Sequence, residues 1–464
     1  MKKVFFSIMA ISIFLSALSC SDKSPSRKES IVTENDDNII ITMATSGANY
    51  YDIDGNNMVD KFNALDNGYE IRLKNYMTDA ENQSDNNHLS FDDNALCLDV
   101  MKGGVVDIVC DCFSDPGKFH SLAEKGAFVD LNKYMENDPD VNRDTLNDHI
   151  LKLCEIDGEL PFLPFGYIIN TLAGYSKYVG DKENWSFNDM IAHWEKMPEN
   201  ALIGGIGSSN TKDYVYLNIL SMNMSSFIDF DKCEANYDSK EFLDILNFCN
   251  SFEYDEGFYK GSEETDAPIF LWGLHIMGFD DFHNDLLNSE IDPITFVGYP
   301  SDSSCGTQIE ISGNIMGISA LSSPEKQQGA WEFLKMFAEE KYQENMAVPA
   351  IEDAGIGISG EQVCFPINNS VFEKLGKERY DKENVSNIVT MGGKEVDVGY
   401  LSKSEYDRLV RLIDDTNRVN IHMEDDLNNI IIDEIWSMFA EEKSPEEVAK
   451  NIQNRAEMMV SEKN

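Results

Sequence analysis

Residues able to do covalent chemistry are plentiful in this chain but badly arranged for it. With 83 aspartates and glutamates among 464 residues, a carboxylate pair at acid–base spacing can be drawn almost anywhere, so such a pair carries no information. More exacting arrangements are missing. There is no Gly-x-Ser-x-Gly elbow, no His-Glu-x-x-His and no Gly-x-x-x-x-Gly-Lys-Ser/Thr phosphate loop. Two stretches space oxygen ligands as calcium loops do: Asp52-Ile53-Asp54-Gly55-Asn56, and Asp138, Asp140, Asn142 and Asp144 at alternate positions. A full loop also needs Gly at its sixth position and Glu at its twelfth. The first stretch has its Gly at the fourth position and reads as a turn with a helix cap, and the second has Arg143 where the Gly belongs. No metal and no other cofactor is expected.

The cysteines add no redox or zinc site. Cys110 and Cys112 stand one residue apart, and no second pair has metal-ligand spacing. Cys97, Cys154, Cys233, Cys249, Cys305 and Cys364 are scattered, several inside apolar runs such as Phe242–Cys249. There a thiol behaves as a small hydrophobe, so most are expected to be free and buried. Cys20 differs. Lys2 and Lys3 precede an apolar run from Val4 to Leu18, and Ser19 then precedes Cys20. A basic start, a short apolar stretch and a small residue before the cut describe a secretory signal, too short for a comfortable membrane span. Ala17-Leu18-Ser19-Cys20 resembles the lipobox of bacterial lipoproteins, with Ala17 where Leu is commoner. This predicts a signal peptide over 1–19, lipidation of Cys20 and a polar tether over 20–38.

Charge excludes several partners. The formal net charge is −46, and losing Lys2 and Lys3 with the leader takes it to −48. Such a surface repels nucleic acid and anionic headgroups, leaving a lipid as the route to the membrane. The length exceeds what one core usually supports, so two domains are the default.

The elements that must position a site alternate. Ile39–Met43 is β-rich; Asn57–Leu65 is helical; Tyr69–Met77 alternates, with Tyr69, Ile71, Leu73 and Met77 on one face; Leu89–Met101 is helical and stops at Gly103 and Gly104; Val105–Cys110 is a short buried strand. That order argues a parallel sheet with crossover helices. Helix starts follow at Ser186, at Ser323-Pro324 and at the capping box Ser444-Pro445-Glu446-Glu447.

Asp157-Gly158-Glu159-Leu160-Pro161-Phe162-Leu163-Pro164-Phe165-Gly166 leads through Tyr167–Ala173 and Tyr175–Gly180 to Trp185–Asp189. Later come Phe296-Val297-Gly298-Tyr299-Pro300, Ile315–Ala320, Ala330–Leu334 and Phe365-Pro366-Ile367-Asn368. In this order and spacing the blocks resemble the family 1 extracellular solute-binding proteins of ABC importers. The match runs from about Ile39 to the end, with Phe270-Leu271-Trp272-Gly273 less regular than the family pattern. The resemblance implies an α/β, two-lobed periplasmic-binding-protein-like fold of type II. Each lobe would be a mostly parallel sheet flanked by helices. A hinge would be crossed three times, near Pro164–Tyr167, Ile311–Met316 and Asn345–Pro349. The implied lobes are 39–165 plus 315–345, and 166–314 plus 346–464.

It also implies a ligand and partners. The expectation is a lipid-anchored, monomeric receptor on the extracellular face of the cell membrane, not an enzyme. It would capture a carbohydrate, an oligosaccharide, between the lobes and hand it to two permease subunits backed by an ATPase. The alternatives are a non-sugar solute (polyamine, peptide or metal chelate) or a surface enzyme acting on glycans. Sugars need flat rings for their faces and forked polar groups for their hydroxyls, just past strand ends. That selects Ser46, Asn49 and Tyr50; Asp111 and Phe113; Tyr167; Trp272; and Glu310, Ser312 and Asn314. Each has a plainer alternative in packing or turn capping, and Trp272 and Asp111 stand out. Trp185, Trp194, Trp331 and Trp436 sit at helical positions and read as core.

Overall fold

Isoleucine-rich, β-branched runs favour extended backbone, and Ile39–Thr45 opens the first sheet. The computed structural model describes residues 38–46, 52–53, 56–79, 89–114, 117–204, 210–229, 232–253, 267–287, 293–301, 306–312, 315–346, 364–391, 394–420 and 425–462. The leader, Cys20, the tether up to residue 37, Asn49, Tyr50, Cys305 and Asn314 lie outside them, and of Ser312 only the backbone is described. Among the described residues no helix is long and apolar enough to cross a membrane.

In chain order the strands of the two main sheets are β1 (Ile39–Thr45), β2 (Tyr69–Asn75), β3 (Ile108–Cys110), β4 (Gly166–Tyr175), β5 (Trp272–Ile276), β6 (Ile294–Phe296), β7 (Gln308–Ser312), β8 (Met316–Ile318), β9 (Phe365–Pro366) and β10 (Val419–Asn420). The first sheet runs β8-β3-β1-β2. β1 lies parallel to β2 from Ile39↔Tyr69 to Thr45↔Asn75, and parallel to β3 at Met43↔Ile108; β8 runs against β3. A parallel pair needs a crossover, and the helix α1 (Met58–Asn63) supplies one, burying Met58, Val59 and Phe62. The helix predicted from Leu89 begins later, as α2 (Asp93–Lys102). Asp92 caps it by accepting from the Ala95 amide, and Leu89–Phe91 pairs instead with Met77–Asp79 as a strand.

The second sheet corrects one expectation. It is mostly antiparallel: β5, β6, β7 and β9 all run against β4, and only β7 with β10 is parallel. The topology demands much of this, because β4 carries the chain out of the first sheet while β7 brings it back. β7 and β6 occupy one edge of β4 in turn, β9 and β5 the other.

The outgoing and returning crossings form one ribbon. Leu163 bridges Met316 on the first-sheet side, and Gly166 pairs with Ser312 on the second-sheet side. A third passage leaves the helix Glu340–Met346 and re-enters at Cys364; the segment 347–363 lies outside the described residues. Here Gly166 has a steric reason to be glycine. A Cβ on it would stand 2.5 Å from Cys364 Sγ and 3.1 Å from the Phe365 carbonyl oxygen.

Two apolar cores follow from the alternation of strand side chains. Tyr167, Ile169 and Ala173 on β4 join a core that continues through Phe165 and Leu163 into Ile41, Met43 and Ile108. Leu172 on the opposite face joins a second core with Trp185, Phe187, Phe242, Phe270, Ile431 and Ile452. Ile168 and Asn170 share that opposite face nearer the crossing, and neither belongs to the apolar cluster. Trp185 and Trp331 are buried core residues, and Trp194 and Trp436 pack half-buried against the second core. Ser186 and Ser323 cap their helices as the sequence predicted. Cys110, Cys154, Cys249 and Cys364 are buried, whereas Cys233 is exposed.

Candidate functional site

Strand ends of the first sheet meet the ribbon at Asp111. Its amide donates to the Ile315 carbonyl at 3.0 Å, holding the loop after β3 against the returning crossing. Continuing the β1–β3 register puts Ser46 beside Asp111. The Ser46 hydroxyl is buried and has no hydrogen-bond partner among the described residues, an arrangement that native proteins seldom leave unmet. Behind it, Tyr76 and Lys74 both donate to Asp99, at 2.8 and 2.5 Å. The Lys74 hydrogen bond holds the Asp99 carboxyl below its usual range. Cys112, beside Asp111, is no nucleophile: burial, helped by the Asp111 charge, pushes its thiol up to about 12.

The second sheet contributes a chain of side chains across three strands. Asn170 Nδ2 on β4 donates to Glu310 Oε2 on β7 at 2.5 Å, and Asn170 Oδ1 lies 2.6 Å from His275 Nδ1 on β5. The register dictates this, since Gln308 and His275 both lie opposite Asn170, and side chains two residues apart share a face. A carboxylate only accepts, so Glu310 fixes the Asn170 amide; its oxygen then faces His275, which must donate from Nδ1. That tautomer leaves His275 Nε2 as an acceptor on an exposed side chain, and Glu310 Oε1 as another. Asn170 itself is fully buried. Next to it, Gln308 Nε2 donates to Asn223 Oδ1 at 2.7 Å, and Arg418 donates to Asn223 and Ser225. A half-exposed carboxylate and an imidazole held on a rigid sheet are fitted to accept hydrogen bonds from hydroxyls.

The structure therefore gathers Ser46, Asp111 and Glu310 around the ribbon and sends other candidates elsewhere. Tyr167 is fully buried, its ring 5.6 Å from Phe365, and belongs to the core. Phe113 is buried too, edge-on to Phe91 at 6.0 Å, rather than open as a platform. Trp272 opposes Ala173, six residues along β4 from Tyr167, about 20 Å from the crossing at the rise of a strand. It shares a face with buried Leu274 and Ile276 and packs 5.0 Å from Tyr175, so it edges the core. The Asp138 stretch is structural: Asp138 accepts from Trp331 Nε1 at 3.1 Å, from Lys335 at 3.0 Å and from the amides of Asp140 and Val141. Among the described residues no group of three His, Cys, Asp or Glu side chains is placed to hold a metal.

Asn170 and His275 were missed by sequence reasoning. Their signal was present: one amide inside the apolar run Tyr167–Ala173, and one imidazole inside Leu271–Phe279. A polar group on such a strand needs a partner.

The sequence matches no protein-family profile and no curated protein. Solved structures are more informative. A periplasmic oligogalacturonide binding protein from Yersinia enterocolitica superposes with a TM-score of 0.54 at 11% identity, over 91% of this chain and 99% of that one. The fold is that of a two-lobed periplasmic binding protein. A de novo designed cysteine esterase shares it, with a TM-score of 0.53 at 10% identity over 92% of this chain and 99% of the other. Two activities on one architecture at such identities mean that the likeness carries the fold, and that the site must be argued from its own residues.

Proposed function

We propose that this chain is a solute-binding lipoprotein of an ABC importer. It captures a carbohydrate, an oligosaccharide, between two lobes comprising 39–165 plus 315–345 and 166–314 plus 346–464. Binding is reversible and no bond is made or broken. Rotation about the ribbon closes Ser46 and Asp111 of the first lobe over Glu310 and His275 of the second. The closed form is then offered to the two permease subunits. Lipid on Cys20 holds the monomer at the extracellular face of the cell membrane.

The observation that carries this reading is the Glu310–Asn170–His275 chain, which sets two acceptors on a rigid sheet beside the crossing. The fold shared with a periplasmic oligogalacturonide binding protein supports it. A thermal-shift screen of the mature protein against neutral, amino and acidic oligosaccharides tests it. A stabilising sugar recovered chemically unchanged is the expected result. Consumption of the sugar would make the protein an enzyme, and stabilisation only by polyamines, peptides or metal chelates would replace the ligand class.

A further inference from the structure

Far from the ribbon, the helix Lys403–Asp414 presents Arg408 and Arg411 to a cavity of about 140 Å³. The cavity lies between this helix, Asn184, Phe296 at the end of β6 and Thr307 just before β7. Phe296 opposes Ala173 and Thr307 bonds Thr171, so both stand on the face of β4 away from Asn170 and Glu310. The cavity is therefore across the sheet from the cleft.

What sets it apart is charge. Acidic side chains outnumber basic ones 83 to 37, and Arg72, Arg143, Arg379 and Arg455 each pair with a carboxylate. Arg408 and Arg411, one helical turn apart, form no ion pair among the described residues. Arg408 is half-buried, its guanidinium stacked 4.4 Å over the Phe296 ring, with one long bond of 3.3 Å to the Ile294 carbonyl. Stacking covers the face of a guanidinium and leaves its N–H edge to be used. Burial lowers the Arg408 pKa and the neighbouring Arg411 charge adds to this, while the Glu183 and Glu405 charges oppose it without closing an ion pair. Glu183 and Asp415 also line the cavity. Their carboxylates stay beyond ion-pair distance of both arginines, although they are within the same walls.

We propose that the cavity between Arg408 and Arg411 is a second binding site, for a small oxyanion of phosphate or carboxylate type. An oxyanion accepts from both guanidinium edges at once, as forked donors favour. At about 30 Å³ per water in the liquid, the cavity of about 140 Å³ has room for several waters, and so for an ion of phosphate size.

Calorimetry of the full mature chain tests this with sodium phosphate, sodium acetate and sodium chloride at matched ionic strength. Saturable binding of phosphate or acetate, absent with chloride, is expected. Arg411→Gln, at an exposed position, should keep the melting curve and weaken binding by about tenfold or more, and Glu183→Gln should tighten it by removing a competing carboxylate. Co-sedimentation with phosphatidylglycerol vesicles, lost in Arg411→Gln, would assign the phosphate to a headgroup; no co-sedimentation leaves the free ion as ligand. Oxyanion heats no larger than those of chloride, or an Arg411→Gln protein that binds like the parent, overturn the proposal.

Discussion

Gln343 Nε2 donates to the Phe165 carbonyl at 2.8 Å, pinning the helix before the third crossing to the strand of the first. The same amide donates to the Phe337 carbonyl at 2.6 Å, and its oxygen accepts from the Asn368 amide at 3.3 Å. One buried side chain therefore satisfies backbone groups from three segments. Gln343→Leu keeps the bulk and strands those groups, at a cost of about 1–3 kcal/mol. Urea denaturation of the ligand-free protein should show the loss as a lower midpoint.

In the cleft, His275→Ala should weaken both binding and folding. The imidazole satisfies the buried Asn170 oxygen, so the ligand-free protein should lose about 1–3 kcal/mol and melt at a lower temperature. Loss of an acceptor that meets a sugar hydroxyl should weaken binding about tenfold, equivalent to about 1.4 kcal/mol. Titration with the best sugar from the screen reads it, and unchanged affinity would remove His275 from the site.

Trp272→Ala should weaken folding alone. A ring at the edge of the core, packed on Tyr175, contributes to stability, and its truncation should cost about 3 kcal/mol. Sugar affinity should be retained, because the ring stands away from the crossing. A large affinity loss with an unchanged melting point would restore Trp272 as a stacking platform.

Stability should also depend on pH through Asp285. Burial, with the Asp281 charge adding to it, raises its carboxyl to about 7, against about 3.9 for an unfolded aspartate. Between those values the folded state binds the proton and the unfolded state does not, so stability falls as pH rises across that window. Asp285→Asn should be more stable than the parent at pH 8 by up to about 4 kcal/mol and nearly equal to it at pH 4. Melting curves of both proteins across that range give the difference directly.

Anchoring is tested at Cys20. Cys20→Ser should move the protein from the membrane fraction to the medium and leave its sugar affinity unchanged, because no proposed ligand contact comes from residues 20–38. Continued membrane association would rule out the lipid.

Architecture was legible in the sequence where one principle acted alone. Ser186 and Ser323 announce their helices because capping is local chemistry, and the β1 run announces a strand because branched side chains favour extended backbone. The direction of the second sheet was not legible, since Ile168 to Ala173 reads the same in a parallel or antiparallel neighbourhood. Trp272 and Tyr167 misled for a related reason: ring residues serve a cleft and a core equally well, and only the register along β4 tells them apart. Asn170 was overlooked because its value lies in reaching Glu310 and His275, which are 140 and 105 residues away along the chain.

The missing side chain at Gly166 has a mechanical consequence. With Cys364 and Phe365 pressed against its backbone, two of the three threads joining the halves lie in contact like plies of a cord. In the proposed closure, turning of one half against the other would then be shared between these plies as a twist of the bundle. A methyl group there (Gly166→Ala) would act as a wedge between the plies, altering how far and how fast the halves turn before it altered what they hold.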